Sequence, residues 1–184
     1  MKLFIDYGID VNRPNSIGIY PIALACESGN IEQVRLLLNH GANPNVQSDG
    51  STPLIQSCIN NNSEVVKLLI EHGADVNFVN SEGLHPLLFL VNESEKNVTK
   101  LFLSYGANPN IQDTEGNSAL SMACARGNRR IVELLLQSPN INIDLPTKGN
   151  YTPLMAACNI QEYMIAVKLI EAGASLYFKN DYGQ

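Results

Sequence analysis

The chain has 184 residues, 45% of them apolar and 16% charged, with a formal net charge of −6. That balance argues against disorder, and an acidic chain without a Lys/Arg-rich run is unsuited to a phosphate backbone, because nothing replaces the released counterions. No apolar run approaches the roughly 20 residues of a spanning helix, and the N-terminal "MKLFIDYGIDVN" carries acids where a signal peptide is apolar. A cytoplasmic, intracellular protein with no membrane insertion and no nucleic-acid partner is therefore expected. Asn-x-Ser/Thr triplets at Asn61, Asn92, Asn97 and Asn150 matter only in a secreted chain and are read as chance.

In chain order, "LLLNHGANPNVQ" (36–47), "LLIEHGADVNFV" (68–79) and "LFLSYGANPNIQ" (101–112) each end a helical run, and their glycines Gly41, Gly73 and Gly106 are 32 and 33 residues apart. A second landmark follows each: "DGSTPL" (49–54), "EGLHPL" (82–87), "EGNSAL" (115–120) and "GNYTPL" (149–154), with Leu54, Leu87, Leu120 and Leu154 spaced 33, 33 and 34. Two landmarks sharing one period define a repeat array. Within 49–80, Asp49-Gly50 has turn chemistry, Thr52 is an N-cap and Pro53 suits the first helical position. Leu54, Ser57 and Cys58 make one helical stripe. Asn60–Ser63 break that helix and cap the next, in which Val65, Val66, Leu68, Leu69 and Ile70 need cover from two sides. Gly73 ends the second helix.

The pattern G-x-T-P-L-x-x-[SA]-C, V-V-x-L-L, G-A-[DN]-x-N at a period of 33 residues closely resembles the ankyrin repeat, over essentially the whole chain. The resemblance implies an all-α solenoid of stacked antiparallel helix pairs with projecting β-hairpin loops. The register reads as a single array over 1–184: a partial unit at 1–15, repeats at about 16–47, 48–80, 81–113, 114–147 and 148–180, and a partial unit at 181–184. Both ends look cut, so a fragment of a longer protein is expected. Departures mark local irregularity: Tyr20 and His85 stand at the capping threonine, Leu90-Val91 replaces the small helix end, and Ala119 replaces the proline. The loop 137–149 gains a residue, and "AVKLIEAG" (166–173) reads as one residue shorter than "VVKLLIEHG" (65–73).

The chemistry-bearing residues are assigned mostly to the stack. Cys26, Cys58, Cys124 and Cys158 share one repeat position with Val91, so that position wants a small apolar group, and all four thiols are expected reduced and buried. Repeats about one helix diameter apart are too far for bridging. His40 and His72 are placed to meet the last carbonyls of their helices, and His85 to hydrogen-bond between repeats. No Cys–His pair, close carboxylate pair, metal cluster or phosphate loop assembles, so a non-enzyme without cofactor or metal is expected. The resemblance implies that Asn45, Asn77 and Asn110 tie the hairpin loops by hydrogen bonds; it also implies hydroxylation in some hosts, which is not expected for this chain.

Functional information should lie in what varies between units. In the family, partners contact the hairpin tips and the exposed side of the first helices along a concave face. Carried over, those positions are Ile17, Ile19, Glu27 and Ser28; Asp49, Ser51, Ile59 and Asn60; Glu82, Leu84, Asn92 and Glu93; Glu115, Asn117, Ala125 and Arg126; and Tyr151, Asn159 and Ile160. Apolar side chains at nominally exposed sites suggest an anchor patch or cover for neighbouring tips. Residues 1–112 hold 6 Lys/Arg against 11 Asp/Glu, and 113–184 hold 6 against 7, so a partner with a basic and apolar face is expected toward repeats 1–3. The reading is a monomeric, non-catalytic scaffold for a protein or peptide. The alternative is a targeting or substrate-recruiting module of a longer enzyme, channel or effector.

Overall fold

A computed structural model describes residues 10–91 and 96–184, so most of the expected partial unit at 1–15, together with Asn92 and Glu93, lies outside the described residues. The chain divides into two compact units, Met1–Asn80 and Ser81–Gln184. The first contains α1 (Pro21–Glu27), α2 (Ile31–Asn39), α3 (Pro53–Ile59) and α4 (Ser63–Glu71). Helix α1 packs on α2 and α3, α3 on α4, and α2 on α4. First helices of the repeats therefore form one row and second helices another.

The second unit repeats this arrangement with α5 (Pro86–Phe89), α6 (Lys96–Ser104), α7 (Ala119–Ala125), α8 (Arg129–Leu135), α9 (Pro153–Asn159) and α10 (Tyr163–Glu171). Its first helices pack in the order α5, α7, α9, and its second helices in the order α6, α8, α10. The projecting loops are tight turns rather than ribbons: isolated bridges pair Ser48 with Ser51 and Thr147 with Tyr151. The repeat array is as the periodicity predicts, and its all-α helix pairs are as the resemblance implies.

The caps explain why helices start where they do. Thr52, Ser118 and Thr152 are buried, and their hydroxyls accept the backbone N–H of Ile55, Ser121 and Met155. Without a proline, α7 gains a reciprocal capping box between Ser118 and Ser121. Asn30, Asn62 and Asn128 cap the second helices by accepting from Gln33, Val65 and Ile131. Two of them also reach back one repeat, Asn62 donating to the Gly29 carbonyl at 3.4 Å and Asn128 to the Val91 carbonyl at 2.7 Å. One side chain thus starts a helix and fixes its distance from the preceding repeat.

The residue before each such cap, and before Glu162 at the start of α10, sits in a left-handed conformation: Gly29, Asn61, Gly127 and Gln161, with φ of 66°, 53°, 71° and 61°. Glutamine gains nothing there to offset its Cβ strain. Gln161→Gly is expected to stabilise the protein by about 1 kcal/mol in urea unfolding, with an unchanged m-value.

Three sequence expectations need correction. Helix α10 is not shortened: Tyr163–Glu171 has nine residues, as does Ser63–Glu71, because Ile165 and not Ala166 matches Val65. The shortened second helix is α8, seven residues, directly before the irregular loop. Cys158 is exposed, whereas Cys26, Cys58 and Cys124 are buried. Coverage at this position comes from the next repeat, as Ser57 of α3 hydrogen-bonds Cys26, and among the described residues no helix follows α10. The same cause leaves Ile170 46% and Phe178 43% exposed, against 6% and 7% for their repeat-1 counterparts Leu38 and Val46.

His85 is the third. It is fully buried, and neither ring nitrogen has a hydrogen-bond partner among the described residues, so the expected bond between repeats is not made. Helix α5, which it precedes without a side-chain cap, is only four residues long. Leu90 and Val91 are buried, and their carbonyls accept instead from Thr99 Oγ1 and Asn128 Nδ2.

Candidate protein-binding clefts

The loops are stapled to one another along each unit. Asn45 donates to the Gly73 carbonyl at 3.0 Å while its Oδ1 accepts the Asp75 N–H at 2.7 Å. Asn110 makes the same pair of bonds to Asn140 and Asn142, and Asn12 to Gly41 and Asn43. These asparagines therefore join neighbouring repeats rather than closing their own loop. Asp144 takes over the role by accepting from Ser175 N–H. In the final repeat Tyr177 occupies this position, 90% exposed.

Between stapled tips lie clefts. In the first unit, a cleft of about 220 Å³ opens between repeats 1 and 2, bringing together Ile19, Glu27, Asp49 and Ser51 with Ala23 and Gln56. In the second unit, a cleft of about 280 Å³ opens between repeats 4 and 5, bringing together Asn117, Ala125, Tyr151, Asn159 and Ile160 with Met122 and Ala156. The two are repeat equivalents: Ile19, Glu27, Ser51 and Gln56 correspond to Asn117, Ala125, Tyr151 and Ala156. Their walls are the same and their chemistry differs.

Of the partner positions carried over from sequence, Ile17, Glu27, Asp49, Ile59, Asn60, Glu82, Glu115, Arg126, Asn159 and Ile160 are exposed. Ile19, Ser51, Leu84, Asn117 and Tyr151 are half-buried. Several are partly spent on the scaffold. Asn60 donates to the Glu27 carbonyl, Asn117 to Asp113, and the Tyr151 hydroxyl to the Met155 carbonyl. Glu115 is paired with Lys148 at 3.0 Å across neighbouring tips. Ile17, Ile59, Arg126 and Glu115 lie outside both clefts.

Residues lining the clefts from within the first helices were missed: Ala23, Gln56, Ser121, Met122 and Ala156. A signal existed. Ala23 precedes Glu27 by one helical turn, and so does Ser121 Ala125. The position two before each cysteine or its valine reads Leu24, Gln56, Phe89, Met122 and Ala156, and it varies widely although it is exposed only at Leu24 and is buried at Ala156.

Among the described residues, the buried thiols and the helix-end histidines serve the scaffold. Burial pushes the Cys26 thiol up to about 11, opposed in part by its Ser57 hydrogen bond, and Cys124 up to about 12. Both stay as inert thiols at neutral pH. His40 and His72 bond through Nδ1 to the Leu36 and Leu68 carbonyls at 2.8 Å, as helix-end side chains. Among the described residues no group of three His, Cys, Asp or Glu side chains could hold a metal ion, and no helix is long and apolar enough to cross a membrane.

A family model for ankyrin repeats, in three copies, matches residues 1–80 and 87–180. The chain belongs to the ankyrin repeat family. Ankyrin repeats are generally protein–protein interaction modules and generally non-catalytic. A comparison with curated proteins finds no match. In ankyrin terms the stapling asparagines, capping threonines and helix-end cysteines are scaffold. The cleft-lining residues of the tips and first helices are what this ankyrin array varies.

Proposed function

We propose that the protein is a non-catalytic, monomeric scaffold that binds a protein or peptide across its tip clefts and the exposed sides of its first helices. The observation that carries this reading is the pair of repeat-equivalent clefts with different linings. Packing alone gives no reason for Glu27 and Gln56 at one and Ala125 and Ala156 at the other. A packed stack needs the caps, leucines and small helix ends, and it leaves these positions free. Residence in a reducing, cytoplasmic compartment belongs to the same proposal, supported by free cysteines in the core.

Selection of peptides from a random library against the intact protein tests the reading. Enriched peptides are expected to lose at least about tenfold in affinity on Ser51→Tyr or Ala125→Trp, substitutions that fill the clefts, since anchors in desolvated pockets dominate such interfaces. Glu32→Lys, on the exposed side of α2, should leave them unchanged. Peptides indifferent to both cleft variants, or no enrichment, would reject the proposal.

A further inference from the structure

We propose that the cleft between repeats 1 and 2 receives one cationic side chain, an arginine or lysine, of the bound peptide. This rests on the protein-binding reading above and specifies its chemistry. Glu27 and Asp49 are both exposed where they line the cleft, and no Lys or Arg shares the lining. Neither carboxylate is in an ion pair among the described residues. The tips of repeats 4 and 5 show the contrast, for there Glu115 has its own cation in Lys148.

A second, independent observation comes from Ser48. Its hydroxyl oxygen is buried without a hydrogen-bond partner among the described residues, and Ser48 lines this same cleft. A buried unpartnered polar atom is costly unless something supplies the missing bond. With the Gln56 amide, the cleft presents two carboxylates and a carbonyl-type oxygen, a set rich in acceptors, and the closed-off Ser48 oxygen joins them once its side chain turns outward. Ile19, Ala23 and Pro53 complete an apolar wall. A long side chain with an aliphatic stem and a donor-only cationic head matches both parts. The space of about 220 Å³ suits one such side chain and not a folded element. At the equivalent cleft Ala125 and Ala156 remove the Glu27 carboxylate and the Gln56 amide, so the cation requirement belongs to the first cleft alone.

The probe is acetyl-Leu-Arg-Leu-amide, with its citrulline counterpart, which keeps shape and loses charge, titrated into the intact ¹⁵N-labelled protein. The arginine peptide is expected to move the backbone amides of Ala23, Ser51 and Gln56, and the citrulline peptide to bind about tenfold more weakly. The Glu27→Gln/Asp49→Asn double variant should abolish the difference; asparagine is compatible at residue 49, since Asn150 holds a left-handed φ of 58° in another tip. Equal binding of the two peptides, a difference that survives the double variant, or no movement at the cleft would overturn the inference. Library peptides that bind through the clefts without needing a basic residue would sink this inference while leaving the protein-binding reading intact.

Discussion

Replacing His85 with threonine is expected to remove about 3 kcal/mol of the stability loss that the protein suffers between pH 6.5 and 4. Burial lowers the His85 pKa from 6.5 to about 4, against smaller opposing pulls from the Ile111 backbone and the Asp113 carboxylate. Above pH 6.5 the imidazole is neutral in both folded and unfolded chains, so it contributes no slope. Between 6.5 and 4 the unfolded chain binds a proton that the folded chain refuses, and stability falls as pH falls. Below 4 both forms are protonated and the loss is complete.

Carboxylates titrate over part of the same range, so the difference between wild type and His85→Thr is the quantity to measure, by urea unfolding at half-unit pH steps. Threonine should also supply the cap that α5 lacks, accepting from Leu88 N–H as Thr52 accepts from Ile55. That gain, about 1 kcal/mol, is set against lost ring packing, so the change at pH 7 should stay within about 1 kcal/mol. Parallel pH profiles for the two proteins would show that His85 is hydrated or paired.

Gly116→Ala is expected to cost about 3 kcal/mol, and the reason is steric as well as conformational. Gly116 has φ of 79°, and a Cβ there would lie 2.9 Å from Lys148 N and 3.0 Å from Thr147 Cα. Those are backbone atoms of the neighbouring tip, which no rotamer change can move aside. They belong to the contact in which Lys148 N–H donates to the Glu115 carbonyl at 3.0 Å. Gly41 provides the control. Its φ of 81° carries the same strain, yet a Cβ would meet nothing within 4 Å, so Gly41→Ala should cost only about 1 kcal/mol. Equal costs for the two variants in chemical unfolding would mean that the tips do not press together.

The repeat architecture was legible because its determinants are local and recur. Pro53, Thr52 and Leu54 act within one turn of helix, and the period of Leu54, Leu87, Leu120 and Leu154 counts the units directly. What depends on a neighbouring repeat was less visible. Asn45 was recognisable as a loop-tying residue, but its partners at Gly73 and Asp75 come from the next repeat. Cys158 looks like Cys26 in sequence, but α3 follows and covers Cys26, whereas among the described residues no helix follows α10. His85 replaces threonine in an unbroken motif, and nothing local reveals that its ring is sealed from solvent.

The candidate site followed the same division. Glu27, Asp49, Ser51, Tyr151 and Ile160 were found because tips and helix ends vary openly between repeats. Gln56 and Ala156 were not, because a position inside a first helix reads as packing until the adjacent tip shows it facing a groove.

The central claim is that recognition lies in the tip clefts and the first-helix surfaces beside them. It is tested most directly by mapping a library-selected peptide onto the ¹⁵N-labelled protein through its backbone amide shifts. The account predicts that the largest changes fall at Ala23, Ser51 and Gln56 or at Ala125, Tyr151 and Ala156. Changes concentrated on the exposed residues of the second helices, such as Glu32, Arg35 and Lys67, with the clefts silent, would contradict it.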